Sequence, residues 1–125
     1  MPKIGVTGAS GKAGRAVVRA LLEHDYDVLA VDVAPPAESV APFLLADLTE
    51  FGQTVECLAG VESVVHLAAI PASGIHTEET TFRTNMLSTY NVFEAARLLG
   101  LRRVVSLDAQ TTRRSPSSRA ASNTL

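Results

Sequence analysis

Apolar residues in this chain fall into two patterns: short unbroken runs, and longer stretches where they recur at helical spacing. Ile4-Gly5-Val6, entered from Lys3 and closed by Thr7-Gly8, reads as a buried strand. Lys12 to Glu23 sets Val17, Val18, Leu21 and Leu22 on one helical face. Asp27 to Val33 is a second apolar run, stopped by Pro35-Pro36, and Phe43 to Ala46 is a third. Thr49 to Leu58 predicts a helix, with Thr49 as a possible cap and Gly60 as its stop. Ser63 to Leu67 predicts the fourth strand. Thr80 to Leu99 predicts a long helix ended by Gly100, with Met86, Tyr90, Phe93 and Leu98 on or near one stripe. Arg103 to Leu107 predicts the fifth strand. Apolar strands alternating with helices predict an α/β fold, a parallel sheet covered on both faces. Right-handed crossovers favour a doubly wound sheet of about five strands in the spatial order 3-2-1-4-5. The chain shows no repeat of the solenoid kind.

The junction between the first strand and the first helix reads Thr7-Gly8-Ala9-Ser10-Gly11-Lys12-Ala13-Gly14. Glycines at this spacing, after a strand and before a helix, mark a Rossmann-like dinucleotide turn. Gly8 permits the tight turn, Gly11 lets backbone approach a pyrophosphate, and Gly14 lets the helix pack close to the sheet. Free N–H groups and the positive end of the helix dipole then face the anion. Gly8, Ser10, Gly11, Lys12, Ala13 and Gly14 are therefore the candidate cradle; the competing reading is a turn whose glycines serve packing alone. The spacing is GxxGxxG, not the simpler GxGxxG. Asp32 closes the second strand, where an acid accepts hydrogen bonds from ribose hydroxyls and repels a 2′-phosphate. It favours NAD and leaves NADP possible, because Lys12 and Arg15 lie nearby; the alternative is a solvated acid at a strand end.

Composition narrows the classes. The chain has 125 residues, 46% of them hydrophobic, with a formal charge of −2. That supports one domain with a real core and excludes wholesale disorder. No apolar run approaches the ~20 residues of a membrane span, and the mild acidity offers no footprint for nucleic acid, so neither partner is expected. The one cysteine, Cys57, excludes an intramolecular disulfide and a cysteine metal cluster, and reads as a small buried hydrophobe. His24 and His76 read as surface residues that cannot form a spaced metal site with His66. With the first strand at Lys3 there is no room for a leader, and a cytoplasmic setting is expected. Residues 109–125 hold Arg113, Arg114 and Arg119 with no acid, and no large apolar residue before Leu125. They read as an Arg/Ser-rich disordered tail behind a dinucleotide-binding domain over 1–108.

The motifs together resemble the NAD-dependent epimerase/dehydratase family, the extended short-chain dehydrogenases/reductases, over about residues 3–107. Thr7-Gly8-x-x-Gly11-x-x-Gly14 matches the family's TGxxGxxG. Asp47-Leu48 matches an acid-plus-apolar pair that the resemblance puts beside the adenine; a cap before the next helix is the alternative for Asp47. His66-Leu67-Ala68-Ala69 matches HLAA, which implies that Leu67, Ala68 and Ala69 line the cofactor. His66 itself reads as a hydrogen-bonded core histidine. Asn85, Thr89, Asn91, Glu94, Ala95, Ala96 and Arg97 resemble the N-x-x-G-T-x-N-x-x-E-A-A-R helix, with Ser88 at the family's glycine, and Asn85 joins the implied cofactor residues. Arg102-Arg103-Val104-Val105 resembles its fifth strand.

The match stops after that strand. The family's hydroxyl pair falls on Asp108 and Ala109, and its V-Y-G on Thr112, Arg113 and Arg114. Its acid/base Tyr stands four residues before a Lys, which lowers the phenol's pKa. Here Tyr26 and Tyr90 are followed at that distance by Ala30 and Glu94, and the only lysines are Lys3 and Lys12. No catalytic residue is assigned. The substrate lobe and strands six and seven are also missing, which would leave strand five an exposed edge. The resemblance implies the NAD(P)-binding part of an oxidoreductase, epimerase or dehydratase, such as one acting on a nucleotide sugar or sugar derivative, inactive by itself through a frameshift or premature end. The alternative is a genuine short NAD-binding or partner-binding protein, its edge covered by a partner or a second copy.

Overall fold

The computed structural model describes residues 2–69 and 76–106. The chain runs β1 (Lys3–Thr7), α1 (Lys12–Glu23), β2 (Asp27–Asp32), β3 (Phe43–Leu45), α2 (Phe51–Leu58), β4 (Ser63–His66), α3 (Glu78–Leu99) and β5 (Arg103–Ser106). The five strands form one parallel sheet in the order β3-β2-β1-β4-β5, as the alternation of elements predicts. Leu107, the 108/109 boundary and the Arg/Ser-rich stretch lie outside the described residues.

Side chains alternate across the sheet and build two cores. Ile4 and Val6 of β1 and Val28 and Ala30 of β2 meet Val17, Val18, Leu21 and Leu22 of α1 on one face. On the other, Val31, Val64 and Val104 meet Cys57 and Leu58 of α2 and Val92, Ala95 and Ala96 of α3. Gly5 belongs to that second face. A Cβ there would meet Leu58 and Val61 at 3.6 Å, an ordinary contact, so the packing of α2 does not require glycine at this position.

Two predictions shift at element ends. Thr49 does not cap α2. Its N–H and hydroxyl both donate to Asp47 Oδ1, at 3.0 and 2.7 Å, and the helix starts at Phe51 behind Glu50. The short side chain of Asp47 captures the local backbone before the helix can. The long helix begins earlier than Thr80, because Thr77 caps it and accepts from Thr80 N at 3.1 Å.

The α3 stripe is a larger correction. Met86, Tyr90 and Leu98 are exposed and only Phe93 is half-buried. The face turned inward carries Ser88, Asn91, Val92, Ala95 and Ala96. Small residues win that face because α3 must lie close to the sheet and to α2. Asn91 is buried at no loss, since its side-chain amide donates to Leu48 O at 2.8 Å.

Cys57 is fully buried and donates weakly to Thr54 O. Burial pushes its thiol up from an ordinary 9.0 to about 11. The unfolded chain therefore loses this proton first, and the folded state holds more protons across that interval. Stability should be intact below pH 9 and decline by about 2 kcal/mol as pH rises toward 11. Urea midpoints measured from pH 8 to 11 should show a fall that Cys57→Ala lessens.

Candidate functional site

All the carboxyl ends of the strands point the same way, and loops leaving β1, β2, β3 and β4 meet there. Between them lies a cleft of about 230 Å³. In an open parallel sheet the chain departs to opposite faces at the reversal of strand order, here between β1 and β4, and that leaves room for a ligand.

The cleft is held open by backbone packed on backbone. Gly8 has φ +66°, and a Cβ on it would stand 2.7 Å from Leu67 C and 2.8 Å from Ala68 N. A Cβ on Gly14 would stand 2.0 Å from Gly8 O. The first turn of α1 thus rests on the Gly8 peptide, and that peptide rests on the end of β4. Ala9 N donates to Val31 O at 3.1 Å and ties the same turn to β2.

Thr7 locks this junction from below. Its hydroxyl oxygen accepts from Leu67 N at 2.9 Å and Ala68 N at 3.1 Å. Both lone pairs are then used, so its proton goes to His66 Nδ1, 2.7 Å away. That makes His66 the tautomer protonated on Nε2, which donates to Thr89 Oγ1 at 3.1 Å. His66 is thus a hydrogen-bonded core residue linking β1, β4 and α3.

Gly11 differs from its two neighbours in the motif. It has φ −79° and ψ 176°, which any residue adopts, and a Cβ would meet only Gly8 O at 3.5 Å. Nothing in the chain's own packing requires glycine there, yet Gly11 lines the cleft. No side chain caps α1, and its first turn holds no acid. A bare backbone surface at an uncapped helix start suits a bulky anion.

Gly8, Gly11, Asp32, Asp47, Leu48, Leu67, Ala68, Ala69 and Asn85 all line the cleft. Ser10, Lys12, Ala13 and Gly14 do not. Lys12 and Ala13 are exposed on α1, and Gly14 is buried under it. Ser10 acts through its neighbours: its N–H donates to Asp32 Oδ2 at 2.9 Å and its hydroxyl to Ala34 O at 2.6 Å. Asp32 Oδ1 accepts from Val33 N at 2.6 Å, so this acid is anchored rather than freely solvated. Leu48 is buried, its carbonyl fixed by Asn91 and by Thr54 Oγ1 at 3.1 Å. Val31, Val33, Ala46 and Thr49 also line it, as do Thr84 and Ser88 of α3, none of them site residues that the sequence reading names. The signal for the α3 pair is helical: Ser88 lies one turn beyond both Thr84 and Asn85. Among the described residues no His/Cys/Asp/Glu cluster fits a metal ion.

The model of the NAD dependent epimerase/dehydratase family matches residues 4–113. The chain belongs to that family. It is 34% identical over 106 residues to an L-arabinose 1-dehydrogenase (NAD(P)(+)) of Haloferax volcanii, covering 84% of this chain and 40% of that protein. A uronate dehydrogenase of Pseudomonas putida is 27% identical over 86% of this chain and 40% of its own length. Among solved structures, a short-chain dehydrogenase/reductase superfamily protein of Agrobacterium tumefaciens with bound NAD superposes with a TM-score of 0.78 at 28% identity, over 87% of this chain and 33% of that one. A uronate dehydrogenase mutant of the same organism, complexed with NAD, gives 0.75 at 30% identity, over 90% and 42%. The chain spans no more than 40% of the curated family relatives named here.

Two outcomes follow from the geometry. Thr7→Val keeps the shape but removes the acceptor for Ala68 N, one of the two acceptors of Leu67 N and the donor to His66, and should cost about 1–3 kcal/mol in urea unfolding, with Thr7→Ser restoring most of it. Gly14→Ala should cost at least the ~1–3 kcal/mol of overpacking, whereas Gly11→Ala should leave the midpoint within about 0.5 kcal/mol.

Proposed function

We propose that this chain is the NAD(P)-binding portion of an extended short-chain dehydrogenase/reductase of the oxidoreductase, epimerase or dehydratase kind. The observation that carries the reading is Gly11, a glycine that the fold does not need on the wall of a cleft at an uncapped helix start. The family match and the NAD-bound neighbours support the same ligand. A pyrophosphate would lie over Gly8 to Ala13, with the adenosine ribose at Asp32, the adenine beside Asp47 and Leu48, and the remainder along Leu67, Ala68, Ala69 and Asn85.

Each group has a defined task. The N–H groups of the glycine turn and the α1 dipole offset the diphosphate charge without a positioned cation. Asp32, held by Ser10 and Val33, presents a fixed acceptor to a ribose hydroxyl. Buried Leu48 and the small Ala68 and Ala69 exclude water while leaving space for flat rings. A bound NAD(P) would supply a hydride donor or acceptor for a carbon bearing oxygen. The proton that must move with it has no carrier here, since no Tyr stands four residues before a Lys anywhere in the sequence. The chain therefore binds nucleotide and does not turn over substrate alone.

Titration calorimetry with NAD tests this. Binding should be measurable in the wild-type chain, and Gly11→Val should abolish it while far-UV circular dichroism stays unchanged. A folded wild-type chain that gives no heat with NAD or NADP sinks the reading. Turnover by the purified chain sinks the claim of inactivity.

A further inference from the structure

Two walls of the cleft follow one another along the chain. Leu67, Ala68 and Ala69 run out from the end of β4 and form one; Thr84, Asn85 and Ser88 of α3 form the other. A ligand between them is gripped only as well as their separation is fixed, since contact groups lose their value when the residues behind them are loose. Among hydrogen bonds between described residues, one side-chain bond joins the end of β4 to α3, from His66 to Thr89 at 3.1 Å. Neither residue lines the cleft. His66 directly precedes the first wall residue of β4, and Thr89 follows Ser88 and lies one turn beyond Asn85.

The rest of the junction dictates the sense of that bond. Thr7 Oγ1 accepts from Ala68 N at 3.1 Å and shares Leu67 N with its own carbonyl, so its proton points at His66 Nδ1, 2.7 Å away. Nδ1 must then accept, and the neutral ring carries its proton on Nε2, toward Thr89 Oγ1. The imidazole is rigid, so with β1 on one nitrogen and α3 on the other it works as a strut. His66 is buried, and water does not replace a lost partner there without a local opening. The strut also reaches the glycine turn, because the Leu67–Ala68 backbone that Thr7 holds is the surface on which the Gly8 peptide rests.

We propose that His66 and Thr89 are positioning residues for the dinucleotide: their hydrogen bond ties the β4 wall of the cleft to the α3 wall and sets the gap in which the nucleotide lies. The inference rests on the dinucleotide reading of the cleft and adds the pair that fixes its width. A hydroxyl at position 89 supplies the acceptor that the His66 tautomer demands, and a valine of the same shape does not.

The test is NAD calorimetry of the whole chain for wild type, Thr89→Val, Thr89→Ser and Val92→Ala, with circular dichroism as the check on folding and nitrogen-15 NMR of the His66 ring at mildly alkaline pH. Val92 is fully buried on the same helix and does not line the cleft, so Val92→Ala loosens α3 without touching the strut. Thr89→Val should weaken NAD binding about fivefold or more and Thr89→Ser less than about twofold. Val92→Ala should also change it less than about twofold while lowering the urea midpoint. The His66 ring should carry an exchange-protected proton on Nε2 in wild type and Thr89→Ser, and Thr89→Val should lose that protection. If Thr89→Val does not fold, Thr89→Ala takes its place. If the variant lacking the hydroxyl binds NAD as wild type does, if Val92→Ala weakens binding as much, or if wild-type His66 is protonated on Nδ1, the proposal falls and the dinucleotide reading stands. If the folded wild-type chain binds neither NAD nor NADP, both fall together.

Discussion

The site depends on one contact, the peptide of Gly8 pressed against the backbone that leaves β4 on one side and against the start of α1 on the other. Two glycines make it possible, and no side chain could replace either without moving a strand or a helix. That contact sets the angle at which α1 leaves the sheet. It therefore aims the free N–H groups of the first turn across the strand ends. Thr7 holds the junction shut from inside the sheet: its hydroxyl accepts from Ala68 N and shares Leu67 N with its own carbonyl oxygen.

From there the constraints propagate outward along named bonds. Thr7 orients His66, and His66 reaches Thr89 on α3. Asn91, less than one turn further along α3, holds Leu48 in place under the cleft. Ser10 ties the glycine turn to Asp32 at the end of β2. Of the buried polar residues, Thr7 and His66 fix strand ends and Thr54 and Asn91 hold Leu48, while the apolar ones fill the two faces of the sheet. This division explains why α3 turns small and polar residues inward. A helix that must approach the cleft closely has no room for Met86 or Tyr90.

The glycine motif shows how function departs from stability within three residues of the same type. Gly8 and Gly14 are required by the fold. Gly11 is tolerated by it, and so points outside it, to whatever lies in the cleft. Lys12 and Arg15 tell the same story in charge: they sit at the end of the helix that least wants them. Local rules broken at one corner of an otherwise consistent sequence mark that corner as the place where ligand chemistry acts.

Strand order, the parallel sheet and most element boundaries were legible in the sequence, because an apolar run between polar ends has one stable place in a layered α/β domain, and crossover handedness leaves few topologies. Of the cleft-lining positions, Gly8, Gly11 and Asp32 were legible because a glycine turn and an acid at a strand end each carry a local mechanism, and Asp47, Leu48, Leu67, Ala68, Ala69 and Asn85 only through the family resemblance. Position and periodicity did not reveal what depends on distance through space. The inward face of α3, the hold of Asp32 on Ser10 and the Thr7–His66–Thr89 chain depend on residues brought together from up to 59 positions apart in sequence. Hydrophobic patterning is written along the chain, so sequence alone determined the layers. Hydrogen bonds between strand ends exist only once the sheet has closed, so only the tertiary structure decided which polar groups meet.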